Sequence, residues 1–138
     1  MTKTFVNMGR MKTPPPRPTE GELAILNVLW DHGPLSVRAI QRVQDQEKPT
    51  GYTTALKLLQ IMTAKGLVDR DDSSRPQIYR ARQARAQTQR QLLRDLARRA
   101  FGGSVKTLVL QALATKQTSP ADLRAIETLL NRYEKGEP

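Results

Sequence analysis

Apolar positions recur along this chain with two different periods. Leu23, Ile25, Leu26, Val28, Leu29 and Trp30 follow one another so closely that they predict a helix apolar on most sides, hence buried. Thr19-Glu20-Gly21-Glu22, just ahead of them, has the spacing of a capping box, and His32-Gly33-Pro34 ends the run. Ser36 then serves as the N-cap of a second helix, with Val37, Ile40 and Val43 on one face, broken at Lys48-Pro49-Thr50-Gly51. A third helix runs from Tyr52 to Lys65. Its buried stripe is Ala55, Leu58, Leu59 and Met62, spaced i, i+3, i+4, i+7, while Thr53, Thr54, Lys57 and Gln60 point away from it. After Gly66 the period shortens: Leu67-Val68-Asp69-Arg70 and Gln77-Ile78-Tyr79-Arg80 flank the polar turn Asp71 to Pro76 and predict a hairpin.

From Ala84 the helical period returns, over Ala86–Ala100, Ser104–Lys116 and Ser119–Tyr133, with a break at Phe101-Gly102-Gly103. Ser119-Pro120-Ala121-Asp122 combines an N-cap, Pro at the first helical position and an early carboxylate. Leu92, Leu96, Leu108, Val109, Leu113, Leu123, Ile126 and Leu130 lie on the apolar stripes of these helices. Three short amphipathic helices with only Phe101 and Tyr133 as aromatics make a thin core alone, and pairing with a second copy completes it. The expected fold is mainly α with a small β-hairpin. Residues 19–82 form a winged helix-turn-helix and 83–138 a C-terminal three-helix dimerisation region. Residues 1–18 hold four basic residues, no acid and four prolines, and are expected to form a flexible arm. Arg10, Lys12 and Arg17 either reach a nucleic-acid groove or are simply solvated.

Charge narrows the choice of partner. The chain has 23 Lys and Arg against 13 Asp and Glu, a formal net charge of +10, which points to a polyanion. The excess sits in the arm and in one helix, where Arg85, Arg90, Arg94, Arg98 and Arg99 face a single acid, Asp95; residues 19–82 are almost balanced. Any nucleic-acid surface on the winged helix must therefore segregate its charges in space. Arg90, Arg94 and Arg98 recur every four residues on one helix face, either solvated or set against an anion.

Catalytic and metal chemistry find little material. With no cysteine there is neither a disulfide nor a thiolate metal site, and His32, the only histidine, stands at a helix end. Asp71-Asp72 is expected to be solvated charge in a turn, and Gly102-Gly103-Ser104 lacks both the pattern and the preceding strand of a phosphate loop. No enzyme activity and no cofactor are expected. The start of the chain has no hydrophobic signal region and no run approaches membrane-spanning length, so the expected location is the cytoplasm.

Binding chemistry is better supplied. In a major groove Lys donates to guanine, Gln pairs with adenine and a Thr methyl meets the thymine methyl, which makes Thr53, Thr54, Lys57 and Gln60 a base-reading set. Arg38, Tyr52, Arg70, Arg75 and Arg80, around the helices and the wing, are the expected contacts to the DNA backbone. A merely solvated helix face would also carry Lys and Gln.

These residues resemble a known family. Pro18-Thr19-Glu20-Gly21-Glu22-Leu23 with Val28-Leu29-Trp30, Gly33-Pro34-Leu35-Ser36-Val37-Arg38, Tyr52-Thr53-Thr54-Ala55-Leu56 with Leu58-Leu59-Gln60, and Lys65-Gly66-Leu67-Val68 look like the penicillinase-repressor family, the BlaI, MecI and CopY group. The likeness runs from about Pro18 to Tyr133. It implies a homodimeric winged-helix repressor on an inverted-repeat operator, often of the TACA/TGTA kind, answering in many members to a membrane sensor protease. This chain departs from the family pattern at Ile61, where Arg is common, and at Lys57, where Thr is common. Gln111-Ala112 stands where the resistance repressors have their cleaved Asn-Phe bond, and the cysteine cluster of the copper-responsive branch is missing. The expected function is a homodimeric bacterial transcriptional repressor; the alternative is a winged-helix protein-interaction module without sequence-specific DNA binding.

Overall fold

The computed structural model describes residues 16–115 and 118–136. The expected N-terminal arm lies outside them except for its last three positions, of which Pro18 is buried. The element order is α1 (Glu20–His32), α2 (Val37–Asp45), α3 (Tyr52–Lys65), β1 (Val68–Asp71), β2 (Ile78–Ala81), α4 (Arg85–Ala100), α5 (Val105–Ala114) and α6 (Pro120–Glu134). This is a winged helix-turn-helix followed by helices, as the periodicity predicts. Contacts divide the chain after Leu92 into two compact units, so the first turns of α4 belong with the winged helix.

Each of the first three helices starts and stops for a local reason. Thr19 Oγ1 accepts from the Glu22 amide at 3.2 Å while the Thr19 amide donates to Glu22 Oε1 at 2.8 Å, completing the capping box. Ser36 Oγ accepts from the Ala39 amide at the start of α2. At the end of α3, Gly66 sits at φ 83° in the left-handed region, where a side chain is disfavoured, and turns the chain into β1.

The core of the first unit is assembled from one face of each element. Ile25, Leu26 and Leu29 of α1, Ile40 of α2, Ala55, Leu59 and Met62 of α3, Val68 of β1 and Tyr79 of β2 are all buried in one cluster, with Leu58 and Trp30 half-buried at its margin. The hairpin pairs antiparallel, Val68 with Ala81 and Asp71 with Ile78, each strand lying one residue later than the apolar pattern suggests. Leu35 and Tyr79 exchange backbone hydrogen bonds of 3.0 and 2.8 Å, which fasten β2 to the loop before α2. Pattern alone does not show this bridge, because a single residue has no period.

Charged groups also enter this core. Glu22 is 1% exposed, and both its carboxylate oxygens accept from Lys65 Nζ, at 2.8 and 3.0 Å. Burial pushes the Glu22 carboxyl upward, but Lys65 and the Thr19 amide and hydroxyl outweigh it and hold the group below the ordinary carboxylate range. The start of α1 is thereby tied to the last residue of α3. Asp71, expected to be solvated, is instead fully buried at the end of β1, and its Oδ1 accepts from the amide and hydroxyl of Ser73. A short carboxylate placed two residues before a turn amide satisfies it, and the turn closes over the acid. Asp72 is exposed.

In the second unit α5 and α6 are well capped, by Ser104 accepting from Thr107 and by Ser119 accepting from Asp122. Neither helix contains a buried residue.

Candidate nucleic-acid interface

The turn between α2 and α3 is built from its own residues. Asp45 Oδ1 accepts from the Thr50 amide at 3.1 Å, and the Thr50 hydroxyl donates to the Lys48 carbonyl. Gly51, in extended conformation, then opens α3 with no side-chain cap. Because Ala55, Leu59 and Met62 are wholly buried, the opposite face of α3 must be outward. It carries Thr53, Thr54, Lys57 and Gln60, all exposed. Ile61 is also exposed, at the position where the family likeness has Arg.

The residues expected to contact the DNA backbone fall into two electrostatic groups. Arg38 is exposed and stacks over Tyr52, its guanidinium carbon 4.8 Å from the ring centroid. A groove lined by Ser36, Arg38, Tyr52, Leu56, Arg75 and Gln77 brings the starts of α2 and α3 against the far end of the wing turn. Arg38, Tyr52 and Arg75, scattered in sequence, thus meet in one place. Arg70 and Arg80 do not join them freely: Arg70 Nε pairs with Asp72 at 2.8 Å, and Arg80 Nε lies 3.6 Å from Asp69. Arg82 takes the other Asp69 oxygen at 2.7 Å. Asp72 holds the Arg70 guanidinium above its ordinary value. Of the five residues expected at the DNA backbone, Arg38 and Arg75 are the arginines with no ion pair among the described residues, unlike Arg70 and Arg80.

The other expected sites are placed as follows. Leu92 is half-buried in the first unit, and Leu108, Leu113 and Ile126 are half-buried in the second, while Leu96, Val109, Leu123 and Leu130 are exposed. His32 is exposed at the end of α1. No group of three or more His, Cys, Asp or Glu able to hold a metal occurs among the described residues. Among them also, no helix is long and apolar enough to cross a membrane. Sequence reasoning missed the Glu22–Lys65 pair, the sharing of Asp69 between two arginines and a hydrogen bond from Trp30 Nε1 to the Gln83 carbonyl at 2.9 Å. All three join residues at least eleven positions apart, beyond any local pattern.

Among curated proteins none matches this sequence. The family model described as penicillinase repressor matches residues 18–132, from the residue before the capping box of α1 to the last turn of α6. It spans the winged helix, its outward α3 face, the wing and the helices beyond, and the chain belongs to this family of transcriptional repressors.

Proposed function

We propose that the chain is a homodimeric transcriptional repressor that binds an inverted-repeat operator. Each copy inserts α3 into the major groove, with Thr53, Thr54, Lys57 and Gln60 toward the bases. The single observation that carries the reading is the outward face of α3 standing beside a groove where Arg38, Tyr52 and Arg75 converge. Polar groups on the helix suit base edges, and uncompensated guanidinium groups beside it suit phosphates. Arg75 and Arg38 supply most of the backbone attraction, and Arg70 and Arg80 supply less because Asp72 and Asp69 already offset them.

Residues 83–138 form the dimerisation region, with Leu92, Leu96, Leu108, Val109, Leu113, Leu123, Ile126 and Leu130 as its contacts. The apolar faces of α5 and α6 support it. Exposed on a single chain, they carry Val109, Leu123 and Leu130, which the helical period places in stripes. Gln111 and Ala112 lie exposed in the last turn of α5, within a regular helix that offers no extended segment to a protease, and no cleavage there is part of this proposal.

The test is selection of DNA from a random pool by the full-length protein, followed by gel-shift titration across a salt series. The proposal expects the selected fragments to share paired, inverted half-sites and to bind tighter than random DNA by a factor on the order of a thousand or more. Binding with no sequence preference would favour the protein-interaction alternative.

A further inference from the structure

The junction between the winged helix and α4 is tied down more thoroughly than a connection needs to be. Arg82 donates its amide to the Leu67 carbonyl and its guanidinium to Asp69. The Gln83 carbonyl accepts from Trp30 Nε1 at 2.9 Å, and Gln83 Oε1 accepts from the buried Thr88 hydroxyl at 3.4 Å. The Ala84 amide donates to Gln87 Oε1, capping the start of α4. Arg85 then closes back on the end of α1, its guanidinium 5.5 Å from the centre of the Trp30 ring and paired with Asp31. Residues 82–85 contain neither glycine nor proline, and each has a partner.

A flexible tether needs none of these contacts, which together hold the first turn of α4 against the end of α1. At about 1.5 Å per residue a helix of sixteen residues is about 24 Å long, so a tilt of about 10° at its root moves its far end by about 4 Å. That displacement exceeds the spacing of successive base pairs, about 3.4 Å. A junction that held α4 loosely could not register two reading helices on DNA to within one base pair.

We propose that Trp30, Asp31 and Arg85 are positioning residues that, by latching the root of α4 to the end of α1, set the spacing between the two half-sites the dimer accepts. None of them belongs to the proposed DNA contacts. The inference rests on the dimeric repressor reading and deepens it, since it concerns which operators are accepted, not whether DNA is bound.

The test uses the full-length chain and three kinds of duplex carrying the selected half-site: one copy alone, an inverted pair at the selected spacing, and pairs with one base pair added or removed. Trp30→Phe removes the indole donor and keeps a ring in the same packing; the double variant Asp31→Asn with Arg85→Gln alters only partly exposed groups and keeps the fold. Both variants are expected to bind the single half-site within about twofold of the parent, while the preference for the selected spacing over its neighbours falls by about threefold or more. A purely structural role would lower half-site binding and leave the spacing preference alone. Full spacing preference in both variants, with half-site binding intact, overturns the latch and leaves the repressor reading standing. A parent chain that shows no preference among spacings overturns both.

Discussion

The two units of this protein are written in the same language and use it differently. Helices α1 to α3 and helices α5 and α6 alike are amphipathic, begin at Ser or Thr caps or an extended Gly, and follow the 3.6-residue period. In the first unit the apolar faces meet one another, and Ile25, Ile40, Leu59 and Met62 reach zero exposure. In the second, Val105, Leu110 and Leu130 stay 47%, 55% and 56% exposed, and among its described residues only Ala97 is buried. Good caps and good periodicity therefore make a helix but do not by themselves make a core. Helices of ten and fifteen residues are marginal in water without packing, which is why we assign the missing contacts of the second unit to another copy.

The largest expected effect separates the two kinds of leucine. Leu59→Ala, in the closed core, should lower the unfolding free energy by about 2–5 kcal/mol. In urea titrations that loss should be the same at every protein concentration. Leu123→Lys combined with Leu130→Lys should act in the opposite manner. Both side chains are about half exposed on one chain, so the folding of the winged helix should be untouched, but dimer dissociation should become easier by about 3 kcal/mol, the scale of an interface hot spot. Equal concentration dependence in the two variants would erase the distinction between the units.

A smaller effect sharpens the picture of the first unit. Glu22→Gln breaks the pair with Lys65 and should cost about 2 kcal/mol at neutral pH, less than for a fully enclosed pair because Lys65 is partly solvated. The sign with pH follows from the lowered Glu22 carboxyl: its contribution is present above the ordinary carboxylate range and is lost as pH falls through the folded-state value. Urea unfolding of parent and variant should therefore converge in strong acid and separate toward neutrality. A gap that widened on acidification would contradict the assignment.

Finest of all is the division within the interface. Lys57→Ala should reduce discrimination between operator and random DNA by about 1–3 kcal/mol, whereas Arg75→Ala should weaken both about equally and lower the salt slope by about one per copy. Gel-shift titrations on the two DNAs at several salt concentrations separate these outcomes; equal losses on both DNAs for Lys57→Ala would move that lysine to the backbone set.

Much of this was legible before the structure, and the boundary of legibility is physical. The Thr19 capping box, the Ser36 and Ser119 caps and the full span of α3 follow from interactions reaching three or four residues, so the sequence displays them directly. The outward set on α3 is legible for the same reason, since burying Ala55, Leu59 and Met62 fixes which residues are left outside. Asp71 was misread because a turn composition does not reveal which carboxylate the turn folds over. The Trp30–Gln83 latch spans 53 residues and could have been suspected only from the presence of a single tryptophan at a helix end. The pairing of Arg80 with Asp69 was hidden because strand register sets the two opposite each other, and register shows only in the folded hairpin.

The claim on which the account depends most is that the exposed faces of α5 and α6 are covered by a second copy. Sedimentation velocity of the full-length chain at micromolar concentration tests it directly. The account predicts a single species near twice the 15.5 kDa chain mass, and a species at 15.5 kDa would contradict it.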